Sequence, residues 1–226
     1  MLEIIKNILD DFGSKEQVFL SEAQFQFDLA WELQKKIGKS DKILLEHTVV
    51  IEKQSPISKK KRFQSDIIVQ FANSDYIVIE LKHKTKANRD DYKVELIQQA
   101  GQPGTKYDYL NDIRRIELLK NQDDSKYEYL LEGKCLGGYA IFLTNDNSYW
   151  KDKQKGLAKH FSIEDGRTIH KGEPLSWNTD KVKSWMKSRS EFTLGNDYTF
   201  VWNDYYDTKK KNKGSEIKFR YLITEV

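Results

Sequence analysis

Apolar residues recur at helical spacing in two stretches near the N-terminus. Leu2, Ile5, Ile8, Leu9 and Phe12 predict a first helix ending at Gly13-Ser14. Ser21 then suits an N-cap and Glu22 a first turn, with Phe25, Leu29, Leu33 and Ile37 along one face of a second helix. After Gly38 the period shortens. Residues 43–45 and 47–52 read as strand, and 64–71 and 76–83 are β-branched and aromatic runs. The last two are joined by Ala72-Asn73-Ser74-Asp75, a turn composition that makes them a hairpin. Residues 91–120 return to helical patterning, and Pro103 within Gly101–Gly104 predicts two helices or one broken there. A further apolar strand is expected over 138–144 and two late ones over 198–202 and 217–223, in a polar region anchored by Trp150, Trp177, Trp185 and Trp202. No repeat and no Gly/Ser linker interrupts the pattern. The expectation is one α/β domain over residues 1–226, with a core at 20–145 and a β-rich C-terminal elaboration at 146–226.

Composition narrows the class. The 226 residues are 38% hydrophobic and 32% charged, enough for a core and too polar for a membrane span. The N-terminus lacks a basic region, an unbroken apolar run and a cleavage site, so no secretion signal is expected. A lone Cys135 excludes an internal disulfide and a cysteine-built zinc site. Together these predict a cytoplasmic protein.

The net charge of +3, from 38 basic and 35 acidic residues, conceals clusters. Lys59, Lys60, Lys61 and Arg62 form one, Lys82, Lys84, Lys86 and Arg89 a second, and Lys209, Lys210, Lys211 and Lys213 a third. Such runs are either solvated faces or a surface for nucleic acid.

The hairpin carries the candidate chemistry. Asp66 opens its first strand, and Glu80-Leu81-Lys82 closes its second after thirteen intervening residues. Alternation along a strand puts Glu80 and Lys82 on one face and Leu81 on the other. Whether Asp66 shares their face depends on the parity of the loop. Both strands are apolar on both faces, as in a covered sheet, so charges at their ends need partners or a metal. Two neighbouring carboxylates repel, and a divalent cation relieves that repulsion. Magnesium takes oxygen ligands, often one or two carboxylates with several waters. Lys82 would then stabilise charge at a phosphate or help to deprotonate the attacking water. The plainer alternative, a cross-strand Glu80–Lys82 ion pair on an exposed sheet, fits poorly with so apolar a hairpin.

Asp66, the thirteen-residue interval and Glu80-Leu81-Lys82 resemble the PD-(D/E)XK nuclease superfamily, with Ser65 in place of the motif's proline. The flanking order of helix, strand, hairpin, helix and strand agrees with that family over residues 20–145. The resemblance implies a restriction-endonuclease-like core, a central mixed sheet flanked by helices. It implies Mg2+, with Mn2+ able to substitute, held by Asp66, Glu80 and the Leu81 carbonyl. Lys82 would position and activate water, and Glu22 matches the family's upstream glutamate, although an acid in a helix's first turn is also favoured by the helix dipole. Some branches add a glutamine after the ExK strand; Gln98 and Gln102 are candidates, four apart and so on one helical face.

The expected activity is magnesium-dependent endonucleolytic hydrolysis of DNA, in a defence, restriction or DNA-processing role. Lys59, Lys60, Lys61, Arg62, Lys84, Lys86 and Arg89 would hold phosphates, and a homodimer would allow cutting of both strands. The alternative is a catalytically silent module of the same fold that binds nucleic acid or protein. No ATP site is expected, since Gly101–Gly104 lacks the Walker lysine and threonine. His47, His83, His160 and His170 lack metal-ligand spacing.

Overall fold

The computed structural model describes residues 1–52, 62–87, 95–99, 101–121, 127–151, 155–181, 183–207 and 217–226. The elements in order are α1 (Leu2–Ser14), α2 (Glu22–Lys36), β1 (Lys42–Glu52), β2 (Arg62–Gln70), β3 (Tyr76–Lys84), α3 (Gln102–Asn121), β4 (Tyr127–Tyr129), β5 (Cys135–Thr144), β6 (Thr168–Ile169), β7 (Tyr198–Thr199), β8 (Trp202–Asp207) and β9 (Lys218–Glu225). Seven strands form a mixed sheet in the order β4-β1-β2-β3-β5-β9-β8, and β6 and β7 pair separately. Among the described strands only β3 and β5 run parallel, as expected where a helix, α3, crosses between them. The expected α/β domain with a central mixed sheet is therefore present. Among the described residues no helix is long and apolar enough to cross a membrane.

The local signals explain the elements. Ser21 caps α2 by accepting from the Gln24 N–H at 3.1 Å, and Lys35 and Lys36 occupy its last turn. The Phe71 N–H donates to the Asp75 carbonyl at 2.8 Å, which leaves a three-residue loop with Ser74 at a φ of 72°. That odd loop decides the parity left open above. The last bonded pair is Ile67–Ile79, so Asp66 falls opposite Glu80, on the same face as Lys82.

Both faces of the sheet are covered, as the apolar β3 requires. Ile67, Val69, Ile79 and Leu81 pack under α1 and α2. Ile68, Val78, Ala140 and Phe142 pack under α3, in one core with residues from the C-terminal region such as Phe161, Phe192 and Trp202. Phe161 and Phe192 thus bring part of the C-terminal region over α3, whereas β8 and β9 of that region extend the central sheet.

Some expectations are corrected. Residues 43–52 belong to one strand, β1, which runs through Glu46 at a φ of 50°. Residues 95–99 are not helical, and α3 begins at Gln102, with Pro103 in the first turn where no backbone donor is needed. Gln98 and Gln102 therefore do not share a helical face. The strand expected at 198–202 is divided between β7 and β8, which lie in different sheets.

One glycine is demanded by the sheet. A Cβ on Gly138 would lie 2.1 Å from the Val78 carbonyl oxygen, where β5 closes on β3. Gly138→Ala is expected to lower stability by about 3 kcal/mol or more, read as a shift of the urea midpoint. An unchanged midpoint would contradict this close approach.

Candidate active site

β2 and β3 separate beyond the Ile67–Ile79 pair. β2 stays with β1 as far as Arg62, whereas β3 follows β5 to Lys84. The separation strips β3 of backbone partners on its β2 side, and acidic side chains replace them. The Leu81 N–H donates to Asp66 Oδ2 at 2.6 Å, and the His83 N–H to Glu22 Oε2 at 2.7 Å. Gln26, one turn after Glu22 on α2, donates from Nε2 to the Asp66 carbonyl at 2.6 Å and to Glu46 Oε1 at 2.8 Å. The N-terminal half of α2 is thereby tied to the mouth of the hairpin.

On the α3 face of the sheet the charges converge. Lys82 Nζ pairs with Asp112 Oδ2 at 2.6 Å and donates to the Leu81 carbonyl at 3.0 Å. Arg115 reaches Asp112 Oδ1 at 3.1 Å, donates to the Gln64 carbonyl at 2.6 Å and lies 3.7 Å above the Phe63 ring. Its Nη2 stands 3.8 Å from Glu80 Oε1, a buried oxygen with no hydrogen-bond partner among the described residues. Glu22, Asp66, Glu80 and Asp112 thus face Lys82 and Arg115, a formal excess of two negative charges.

Burial, more than that imbalance, governs the titration of the groups. Burial, opposed by Lys82, pushes the Asp66 carboxyl up to about 6. Burial pushes the Glu80 carboxyl further up, and Arg115 offsets this only in part. Burial alone would depress the Lys82 ammonium, but Asp112, Glu22 and Asp66 outweigh it and hold Lys82 above the ordinary lysine range. Lys82 is therefore a fixed cation here, suited to stabilising charge rather than to taking a proton.

Glu22, Lys82, Lys84, Asp108, Asp112 and Arg115 line a polar cleft of 370 Å³. Glu80 does not reach the wall of this cleft and is 3% exposed. Asp108, Asn111 and Arg115 also line a second cleft of 740 Å³, together with Arg62.

The structure gathers Glu22, Asp66, Glu80, Leu81 and Lys82 as the sequence led us to expect. It does not bring the glutamines to them. Gln102 Nε2 binds Asp146 Oδ2 at 2.5 Å, and Gln98 Oε1 accepts from the Ala87 N–H at 3.4 Å; neither lines either of these two clefts. Lys84 lines the smaller cleft and Arg62 the larger, whereas the exposed Lys86 lines neither. Lys59, Lys60, Lys61 and Arg89 lie outside the described residues.

His83 points to the other face, between Phe19 and Phe25, where burial and then Lys84 lower its imidazole to about 4. Burial raises the Cys135 thiol to about 11, which disqualifies it as a nucleophile.

Sequence reading missed Gln26, Asp112 and Arg115. A signal existed for each. Gln26 follows Glu22 by four, and Asp108, Asp112 and Arg115 recur at helical spacing along α3.

Among the described residues no three His, Cys, Asp or Glu side chains stand close enough to hold a metal as they are. The residues present nevertheless fit a hard divalent cation in donor chemistry. Two carboxylates with raised titration, one oxygen of them unpartnered, lie in a cluster two charges short of neutrality. No protein-family model, curated protein or solved structure matches this chain.

Proposed function

We propose that the chain is a metal-dependent nuclease of the restriction-endonuclease-like fold, hydrolysing phosphodiester bonds of DNA. The observation that carries this reading is the negative cluster where β2 and β3 part, with a fixed lysine beside it at an open cleft. Asp66, Glu80 and the Leu81 carbonyl would hold Mg2+ or Mn2+. When bound, the metal would supply a polarised phosphoryl oxygen and a water of lowered pKa.

The protein's own groups have separate tasks. Lys82 holds positive charge toward the cleft, where a phosphate gains negative charge during hydrolysis. Asp112 fixes the direction of that ammonium and keeps it protonated. Glu22 and Asp66 hold the β3 backbone open at His83 and Leu81, so that the Leu81 carbonyl keeps its place. Arg115, at the junction of the two clefts, suits a phosphate next to the scissile one.

The test is cleavage of plasmid and linear DNA with Mg2+. Asp66→Ala and Lys82→Ala are each expected to lose activity by about 10²–10⁴. Full activity in both would overturn the reading.

One observation favours the silent module: Lys82 and Arg115 already satisfy Asp112 within the chain, and Arg115 approaches Glu80. Titration calorimetry with Mn2+ separates the two readings. Heat that disappears in Glu80→Ala supports the nuclease, and an absence of binding supports the silent module.

A further inference from the structure

The 740 Å³ cleft lies beside the proposed catalytic cluster and is walled partly by the C-terminal elaboration, through Ser188, Arg189 and Ser190. Its charge is one-sided. Arg62, Arg114, Arg115 and Arg189 line it against a single carboxylate, Asp108. Arg189 engages that carboxylate with both arms, Nε to Oδ1 and Nη2 to Oδ2, each at 2.9 Å. Arg115 is matched by Asp112. Arg62 and Arg114 are exposed, and among the described residues neither has a carboxylate partner. Arg114 lies 5.4 Å from the centre of the Phe192 ring, which holds its guanidinium on the wall formed by the elaboration.

The lining is largely polar, unlike the apolar pockets that enclose small molecules. Guanidinium groups set along a cleft match a ligand with repeated anions, and their paired N–H donors match phosphate. The cleft also runs into the catalytic one, sharing Asp108, Asn111 and Arg115 with it. A ligand lying across both clefts therefore carries phosphates beyond the reacting one.

We propose that this cleft is the track for the sugar–phosphate backbone flanking the scissile bond. Arg62 and Arg114, which pair with no carboxylate among the described residues, are its phosphate contacts, and Ser188, Arg189 and Ser190 form its outer wall. The assignment rests on the proposed phosphodiester hydrolysis, and it gives the C-terminal region a task besides covering α3.

The experiment measures binding of a labelled oligonucleotide to the whole chain in EDTA, so that cutting does not intervene. Duplex and single-stranded forms of one sequence are separate arms, because both present the same backbone. The double variant Arg62→Gln/Arg114→Gln is compared with Lys36→Gln/Lys171→Gln, which removes the same charge at exposed positions lining neither cleft. In whichever arm the wild type binds, the arginine pair is expected to weaken binding about tenfold and to reduce the slope of log K against log salt by about 2. The lysine pair is expected to leave both near wild type. Ser188→Glu, which puts an anion into the exposed outer wall, is expected to weaken binding similarly.

Equal losses in the arginine and lysine pairs, unchanged binding in Ser188→Glu, or no binding in either arm would overturn the track. The two readings fail separately. Arginine-dependent binding by a chain that cuts nothing removes hydrolysis and keeps the track. Cutting with an unchanged KM in the arginine pair removes the track and keeps hydrolysis.

Discussion

Replacing Glu80 by glutamine is expected to stabilise the metal-free protein in alkaline solution while removing its hydrolytic activity. The Glu80 carboxyl is buried, one of its oxygens has no hydrogen-bond partner, and Arg115 approaches only to 3.8 Å. Ionising it there is costly, which is why burial raises its titration. In the unfolded chain the same group ionises in the ordinary range near 4. Below that range it is protonated in both states and costs nothing. As pH rises toward its raised folded value, the unfolded chain gives up the proton first, and stability falls. Asp66, raised to about 6, adds a loss of the same sign over a lower window.

Glutamine keeps the shape and removes the Glu80 part of this loss. The gain at pH 9 is on the order of 1–3 kcal/mol, several degrees in melting temperature for a chain of this length, and it shrinks toward zero at pH 5. A divalent cation acts in the opposite sense on the wild type. It favours the ionised carboxylates, so Mn2+ is expected to raise the wild-type melting temperature at pH 8 and to leave Glu80→Gln nearly unmoved. Cleavage by the variant is expected to fall by about 10²–10⁴. Melting curves at pH 5, 8 and 9, with and without Mn2+, check the first three outcomes. An equal response of both proteins to Mn2+ would remove Glu80 from the metal site.

The elements that sequence pattern identified are those with a sustained period and a marked end. α2 has a serine cap and an apolar face, and the β2–β3 hairpin has two apolar runs around a turn, so Asp66, Glu80 and Lys82 were found together. Their common face was not legible, because it depends on the loop between Phe71 and Asp75 holding an odd number of residues. Residues 95–99 misled because their partners are distant. The Thr85 hydroxyl binds the Ile97 carbonyl, and the Gln99 N–H binds the Thr85 carbonyl, so this segment follows the end of β3 despite its helical pattern. β4 and β6, three and two residues long, are too short for any period to register. Asp112 and Arg115 were missed because α3 is polar on much of its surface, and a buried aspartate on such a helix stands out only once its lysine partner is placed. The common cause is separation along the chain: local pattern locates side chains on their own element, whereas the cluster is made by contacts between elements.

Glu117 is where the C-terminal elaboration is fastened, and Glu117→Ala is expected to cost about 3–5 kcal/mol. Its buried carboxylate accepts from the Gly195 N–H at 2.9 Å with each oxygen, from Asn196 Nδ2 at 3.1 Å and from the Tyr198 hydroxyl at 2.9 Å. Burial and then the adjacent Glu117 charge hold the Tyr198 phenol well above its ordinary range, so it stays a donor. Alanine leaves these three donors without their acceptor at once. Glutamine keeps an acceptor oxygen for one or two of them, and about half the loss is expected. Tyr107, Phe161, Trp177 and Phe192 join α3 and the elaboration in one aromatic cluster, so a single cooperative transition at lower urea is expected. A second, earlier transition would instead make the elaboration an independent unit. Amide exchange is expected to lose protection first around residues 194–200, where the fastening lies. Because Ser188 and Arg189, shortly before that segment in the chain, reach the wall of the larger cleft, the alanine variant should also weaken oligonucleotide binding at temperatures where the core remains folded. Loss of binding ahead of loss of the core would connect a carboxylate outside both clefts to the surface on which the strand lies.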